Sequence, residues 1–155
     1  MAKEIERKFL TRHRDWSAMA PGIEVRQGYL SVTPGCTVRV RTAGGRGYIT
    51  VKSATVGITR DEYEYEIPLA DCNAMLDRLC QHPLIEKVRY VIPYAGHTWE
   101  VDEFSGVNRG LTIAEIELDS ETEKIELPDW VETEVTGDSR YYNANLVRHP
   151  YFTWK

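Results

Sequence analysis

The feature that most constrains this chain is charge placed at every second residue, again and again along the sequence. In "KEIERKFL" (3–10), Glu4, Glu6 and Lys8 share one face of an extended segment, and Ile5, Arg7 and Phe9 share the other, because strand side chains alternate. The habit recurs downstream. Arg39 and Arg41 oppose Val38 and Val40, and Lys52 follows Thr50 opposite Ile49 and Val51. Arg60, Glu62, Glu64 and Glu66 alternate with Tyr63, Tyr65 and Ile67. Lys87 and Arg89 oppose Val88, Tyr90 and Ile92, Glu100 and Asp102 oppose Trp99 and Val101, and Glu115 and Glu117 oppose Ala114, Ile116 and Leu118. Any one of these strands reads as a half-buried strand with a wet face. A wet face, however, usually mixes Ser, Thr, Gln and Lys, whereas here whole rows are acidic or basic. Same-face neighbours lie about 7 Å apart, where like charges repel by roughly 1–2 kcal/mol at an intermediate dielectric. An open surface tolerates that; a closed barrel calls for counter-charges or a ligand.

Turn formers divide the chain into eight expected strands, at 3–10, 24–31, 36–43, 47–53, 60–67, 86–92, 97–104 and 111–118. The short connections imply antiparallel neighbours, and eight strands are enough to close into a barrel. Leu69, Cys72, Leu76, Leu79 and Cys80 repeat at helical spacing, predicting a helix over 69–81 that His82-Pro83 stops. A second helix is expected at 138–147 and a shorter turn at 14–19. The expected fold is α+β, one domain over 1–155, with helices outside a large antiparallel sheet.

A net charge of −5 gives the protein no global attraction for polyanions, which argues against a nucleic-acid binder. Cys36, Cys72 and Cys80 lack metal-ligand spacing and read as free thiols in a reducing compartment. No apolar run is long enough to span a membrane, and the charged start lacks a signal core, so the expected location is cytoplasmic. "AGGRG" (43–47) has no following Lys-Ser/Thr and reads as a hairpin turn rather than a P-loop. The four tryptophans read as packing, and "ETEKIE" (121–126) as a solvated charge run. Glu134 and Arg140 read as a structural link to the barrel rim, and Arg7 as an outer-wall residue snorkelling past a covering helix.

The charged rows form two sets. The bases are Lys8, Arg39, Arg41, Lys52, Lys87 and Arg89; the acids are Glu4, Glu6, Glu62, Glu64, Glu100, Asp102, Glu115 and Glu117. Carboxylate oxygens suit Mg²⁺ or Mn²⁺, and guanidinium forks suit phosphate oxygens. A polyphosphate chelated to a divalent cation satisfies both halves.

The ordered series "EIERKF", "VRVR", "TVK", "KVRY", "WEVDEF", "AEIEL" and "EVTGDSRYYN" resembles the CYTH, or triphosphate tunnel metalloenzyme, superfamily, and the likeness runs over nearly the whole chain. The resemblance implies a closed eight-stranded antiparallel barrel whose charged lumen is a tunnel for a triphosphate group. By position, Glu4, Glu6, Asp102, Glu115 and Glu117 match the family's metal-binding carboxylates. Lys8, Arg39, Arg41, Lys52, Lys87 and Arg89 match its phosphate-binding bases. Glu62 and Glu64 match acidic tunnel positions of less settled role, and Tyr29 matches a tyrosine proposed as a proton acceptor, with water positioning as the rival role. The expected activity is hydrolysis of inorganic tripolyphosphate, or a similar terminal triphosphate, with Mg²⁺ or Mn²⁺. Lys8 is the expected contact for the terminal or bridging phosphate. An adenylate cyclase of the same family, releasing pyrophosphate from ATP, is the alternative, and a non-catalytic polyphosphate-binding module is a third reading. The expected partner is a small-molecule triphosphate, with neither nucleic acid nor membrane; a homodimer is left open.

Overall fold

The computed structural model describes residues 3–154, so the first two residues and the last residue of the expected 1–155 domain lie outside the described residues. Nine strands form one antiparallel sheet: β1 (Lys3–Thr11), β2 (Gly22–Thr33), β3 (Cys36–Ala43), β4 (Arg46–Ser53), β5 (Thr59–Ile67), β6 (Ile85–Tyr94), β7 (His97–Phe104), β8 (Thr112–Glu117) and β9 (Val131–Glu134). The order is β5-β4-β3-β2-β6-β7-β8-β1-β9, and a further pairing of β5 with β1 closes the first eight into a ring. Hairpin turns set most neighbours. Gly44 and Gly45 carry the β3–β4 turn with φ of 58° and 77°, a region that costs glycine nothing, so "AGGRG" is the hairpin its composition predicts.

The closing seam is short. Only Lys3, Glu4 and Ile5 pair with β5, opposite Asp61, Arg60 and Thr59. Further along the same edge of β1, Phe9 and Thr11 pair instead with β9. β9 is an addition to the eight expected strands, and it accounts for Arg7. The Arg7 guanidinium turns to β9, donating twice to the Glu134 carboxylate, at 2.8 Å each, and lies 5.2 Å over the Phe9 ring, instead of snorkelling past a helix. Glu134 is thus a structural link.

The alternation sorts the ring into a charged inside and an apolar outside. One outer core joins Phe9, Trp99, Val101, Ile116 and Trp130 with Trp16 from the 3₁₀ turn at Asp15–Ala18. Trp16, Trp99 and Trp130 are packing residues, as their composition suggests. Helix α1 (Leu69–Arg78) covers the outside of β3 and β4, with Cys72 and Leu76, one turn apart, buried against Val40. It stops three residues short of the predicted end. Gly47 permits the close seat, since a Cβ there would stand 2.6 Å from the Cys72 Cβ. The predicted tail helix divides into a 3₁₀ turn at Ser139–Tyr141 and α2 (Asn143–Arg148). Leu146 and Val147 of α2 pack into a third cluster with Tyr29, Ile85 and Phe104, which brings the start of α2 to one end of the lumen.

Candidate active site

The ring encloses a cavity of about 340 Å³. Every site residue expected from the sequence lines it except Asp102. Cross-strand register explains the gathering. Glu4 faces Arg60, Glu6 faces Glu117, Lys8 faces Glu115, Lys52 faces Glu62, Arg39 faces both Thr50 and Tyr29, and Glu115 also faces Glu100. Charges separated by dozens of residues therefore become rungs of one wall.

Acids and bases in this wall are interleaved. Glu4 receives Arg60 Nε at 2.8 Å and Lys52 Nζ at 3.3 Å, and Lys52 also meets Glu62 at 3.2 Å. Burial works to raise the Glu4 carboxyl, but Lys52 and Arg60 outweigh it and hold it at about 2. Lys8 lies 3.0 Å from Glu115 and 3.5 Å from Glu6. Burial opposes its charge, yet Glu115 and Glu6 hold the ammonium above the usual lysine range. Glu115 goes well below the carboxylate range against its own burial, because Lys8 and Arg89 face it. Glu6 behaves oppositely: burial, then Glu115 and Glu4, push it up to about 8, with only Lys8 pulling it down. Glu117 rises for the same reasons, burial first and then Glu4, Glu62 and Glu100.

Asp102 is buried behind the wall. It accepts two hydrogen bonds from Arg89, at 2.8 and 2.9 Å, and meets Lys87 Nζ at 2.9 Å. Its negative charge is occupied in holding two bases rather than facing the cavity. Lys87, despite that partner, is pushed down to about 8 by burial and by Arg89. Burial also raises the Tyr29 phenol, outweighing Arg39, Lys8 and Arg60, and so disfavours its ionised form. Glu64 accepts from Thr50 Oγ1 at 2.7 Å and pairs with Arg41 at 3.4 Å and Arg39 at 3.6 Å. Even so, the Nε atoms of Arg39 and Arg41 are buried and have no partner among the described residues.

Two charged residues join the lining that the sequence-derived site set lacks. Arg60 had its signal, sharing a strand face with Glu62 and Glu64, but its acidic neighbours masked it. Glu100 belongs to the acidic rows and pairs with Arg89 at 3.3 Å. Gln27 and Asn143, which hydrogen-bond each other at 3.1 Å beside the bases, carry no charge and left no signal. Among the described residues, no three acidic, histidine or cysteine side chains already converge on a point that would hold a metal ion. The five expected metal ligands thus share one region without forming a ready-made set, since Glu4, Glu115 and Asp102 are each turned onto a base.

Comparison with known proteins places this geometry. A solved structure of a putative adenylyl cyclase from Hippeastrum shares the fold, with a TM-score of 0.55 at 14% identity over 76% of this chain and 80% of that one. The crystal structure of the inorganic triphosphatase NE1496 is 32% identical with a TM-score of 0.69, covering 95% of each chain. A protein of Acetivibrio thermocellus named inorganic triphosphatase is 50% identical over 155 residues, 100% of this chain and 99% of that one. Residues 2–151 match the CYTH domain.

Proposed function

The chain belongs to the CYTH domain family, and from that premise we propose that it hydrolyses inorganic tripolyphosphate, or a similar terminal triphosphate, in its charged lumen with a divalent cation as cofactor. The inorganic triphosphatase that matches half of its residues supports the substrate class. The observation that carries the reading is the pair Arg39 and Arg41. Two guanidinium groups stand on one strand face, each with a buried Nε–H that has no partner among the described residues. Burying such donors costs free energy unless an acceptor arrives. In a protein of net charge −5, that local concentration of cationic forks selects a phosphate-rich anion.

The acidic wall fits the cofactor. Its donors are all carboxylate oxygens, the chemistry of Mg²⁺ or Mn²⁺, and the Glu6 and Glu117 carboxyls are held above their usual range by burial first and then by neighbouring negative charge, both of which a cation would offset. Glu4, Glu6, Glu115 and Glu117 would hold the ion. When bound, such an ion neutralises charge on phosphoryl oxygens and lowers the pKa of a coordinated water.

The remaining work falls to the chain. Lys8, Arg39, Arg41, Lys52 and Arg60 clamp the phosphate oxygens and keep the chain in line. Glu62 and Glu64 orient Lys52 and the arginine pair, and Asp102 fixes Arg89 and Lys87. A water oxygen attacks the terminal phosphorus, the bridging P–O bond breaks, and the water's protons stay on the orthophosphate formed or pass to solvent. Pyrophosphate leaves with the electron pair, against cations already aimed at it, which is where most of the rate enhancement resides. The protonated Tyr29 phenol donates to an oxygen of the reacting group, and Lys87, at about 8, is the lumen base most ready to exchange a proton near neutral pH.

The test is phosphate release from tripolyphosphate with Mg²⁺ or Mn²⁺, with and without EDTA, beside ATP assayed for cyclic AMP. Turnover of tripolyphosphate that EDTA abolishes supports the reading. Cyclic AMP from ATP without phosphate release would replace it with the cyclase.

A further inference from the structure

Resting on the triphosphatase reading above, we propose that Asn143, with Gln27 behind it, is a positioning residue that fixes Lys87 and Tyr29 against the substrate. Asn143 opens α2 and lines the cavity. Its Oδ1 accepts from Lys87 Nζ at 2.9 Å and from Gln27 Nε2 at 3.1 Å. The same Gln27 nitrogen donates to the Tyr29 hydroxyl at 3.4 Å. Two neutral amides therefore join a lysine on β6 to a tyrosine on β2.

The orientation is forced by chemistry. An ammonium has three donors and no acceptor, so it is the oxygen of Asn143 that must face Lys87. Asp102, at 2.9 Å, takes a second donor of the same ammonium. One N–H of Lys87 then remains for a phosphate oxygen. A second carboxylate in place of Asn143 would hold Lys87 equally well, but it would set a negative charge where a polyanion must come. A neutral acceptor avoids that conflict. The link is also stiff: Gln27 is 1% exposed, the Lys87 side chain 2%, and Leu146 and Val147 of the same short helix pack with Tyr29.

The experiment is steady-state phosphate release from tripolyphosphate with Mg²⁺ or Mn²⁺, paired with melting curves, for wild type, Asn143→Ala, Asn143→Asp, Gln27→Met and the Asn143→Ala/Gln27→Met double variant. Losing a hydrogen bond to a charged group lowers kcat/KM of Asn143→Ala by roughly 10- to 100-fold, with the melting curve little changed. Asn143→Asp returns the oxygen with an added charge, so kcat recovers towards wild type while KM stays raised. Because both amides act through one link, the double variant is no worse than the poorer single variant. A wild type that releases no phosphate overturns the triphosphatase reading, and this inference with it. An active wild type overturns the inference alone if Asn143→Ala keeps wild-type kcat/KM, if Asn143→Asp recovers no kcat, or if the two losses multiply. Should Gln27→Met fail to fold, the two Asn143 variants decide the matter.

Discussion

Replacing Arg41 by Met should make the ligand-free protein more stable and the enzyme worse. Met keeps much of the aliphatic volume and removes the charge. Arg41 is held below the usual arginine range, by burial first and by Arg39 second, with Glu64 opposing. A base whose pKa is depressed in the folded state carries a charge that the fold resists, so a neutral stand-in should relieve it. At the ~7 Å spacing of same-face neighbours, the Arg39 repulsion is roughly 1–2 kcal/mol. Burial of the charge, the first cause, adds to that cost, and the Glu64 carboxylate at 3.4 Å opposes both. The cation–π contact with Tyr48, 5.1 Å to the ring centroid, passes to the thioether. The net gain is about 1 kcal/mol, or roughly 2–4 °C in Tm for a domain of this size. Against it, the variant loses a charge-assisted contact to phosphate, so kcat/KM for tripolyphosphate should drop about 10- to 100-fold. Differential scanning calorimetry without ligand and phosphate-release kinetics measure the two signs separately. A variant that melts below wild type, or one that keeps its kcat/KM, refutes the argument that Arg41 is buried at a cost for the sake of an anion.

Gly47→Ala should destabilise without touching the lumen, because its Cβ would meet Cys72 Cβ at 2.6 Å and force α1 outward. Overpacking of this kind costs roughly 1–3 kcal/mol, seen as a lower Tm with turnover per folded molecule retained. The half-buried His97–Glu123 pair should add stability over a limited pH range. Its imidazole is held above 6.5 by the hydrogen bond to Glu123, so that contribution is complete below pH 6.5 and fades as pH rises through the raised value. Glu123 is held below 4.5 by the same bond, so its contribution is present above pH 4.5 and fades as pH falls through the lowered value. The Tm difference between wild type and Glu123→Gln should thus peak between pH 4.5 and 6.5; a difference independent of pH would contradict it.

The charged rows were legible because alternation is a period-two signal that turns into a wall once strands pair. Arg39, Arg41, Lys87 and Arg89 could be placed on the inside before any contact was known. β9 escaped because four residues offer too short a pattern, and it is placed by contacts distant in sequence: its pairing with Phe9 and Thr11 of β1 and the Arg7–Glu134 contact, 127 residues apart. The depth of Asp102 escaped for a related reason. Alternation places it on the inner face with Glu100, but depth behind the wall depends on Arg89 and Lys87 reaching back to it. Gln27 and Asn143 were illegible in principle, since an uncharged amide does not stand out from a pattern of charge.

The three-pair seam between β1 and β5 bears on how the ring behaves mechanically. The lining interleaves seven acids with seven bases, so ion pairs across the lumen tie the wall together, and a closed hoop yields first where it has fewest ties. The joints on either side are longer, six pairs between β4 and β5 and five between β1 and β8, against three here. Side chains add to the three backbone pairs of this seam, with Arg60 of β5 donating to Glu4 of β1 at 2.8 Å and Lys3 of β1 donating to Asp61 of β5. On this view the clasp is a lumen ion pair: Glu4, a carboxylate of the candidate site, also fastens the hoop that surrounds it.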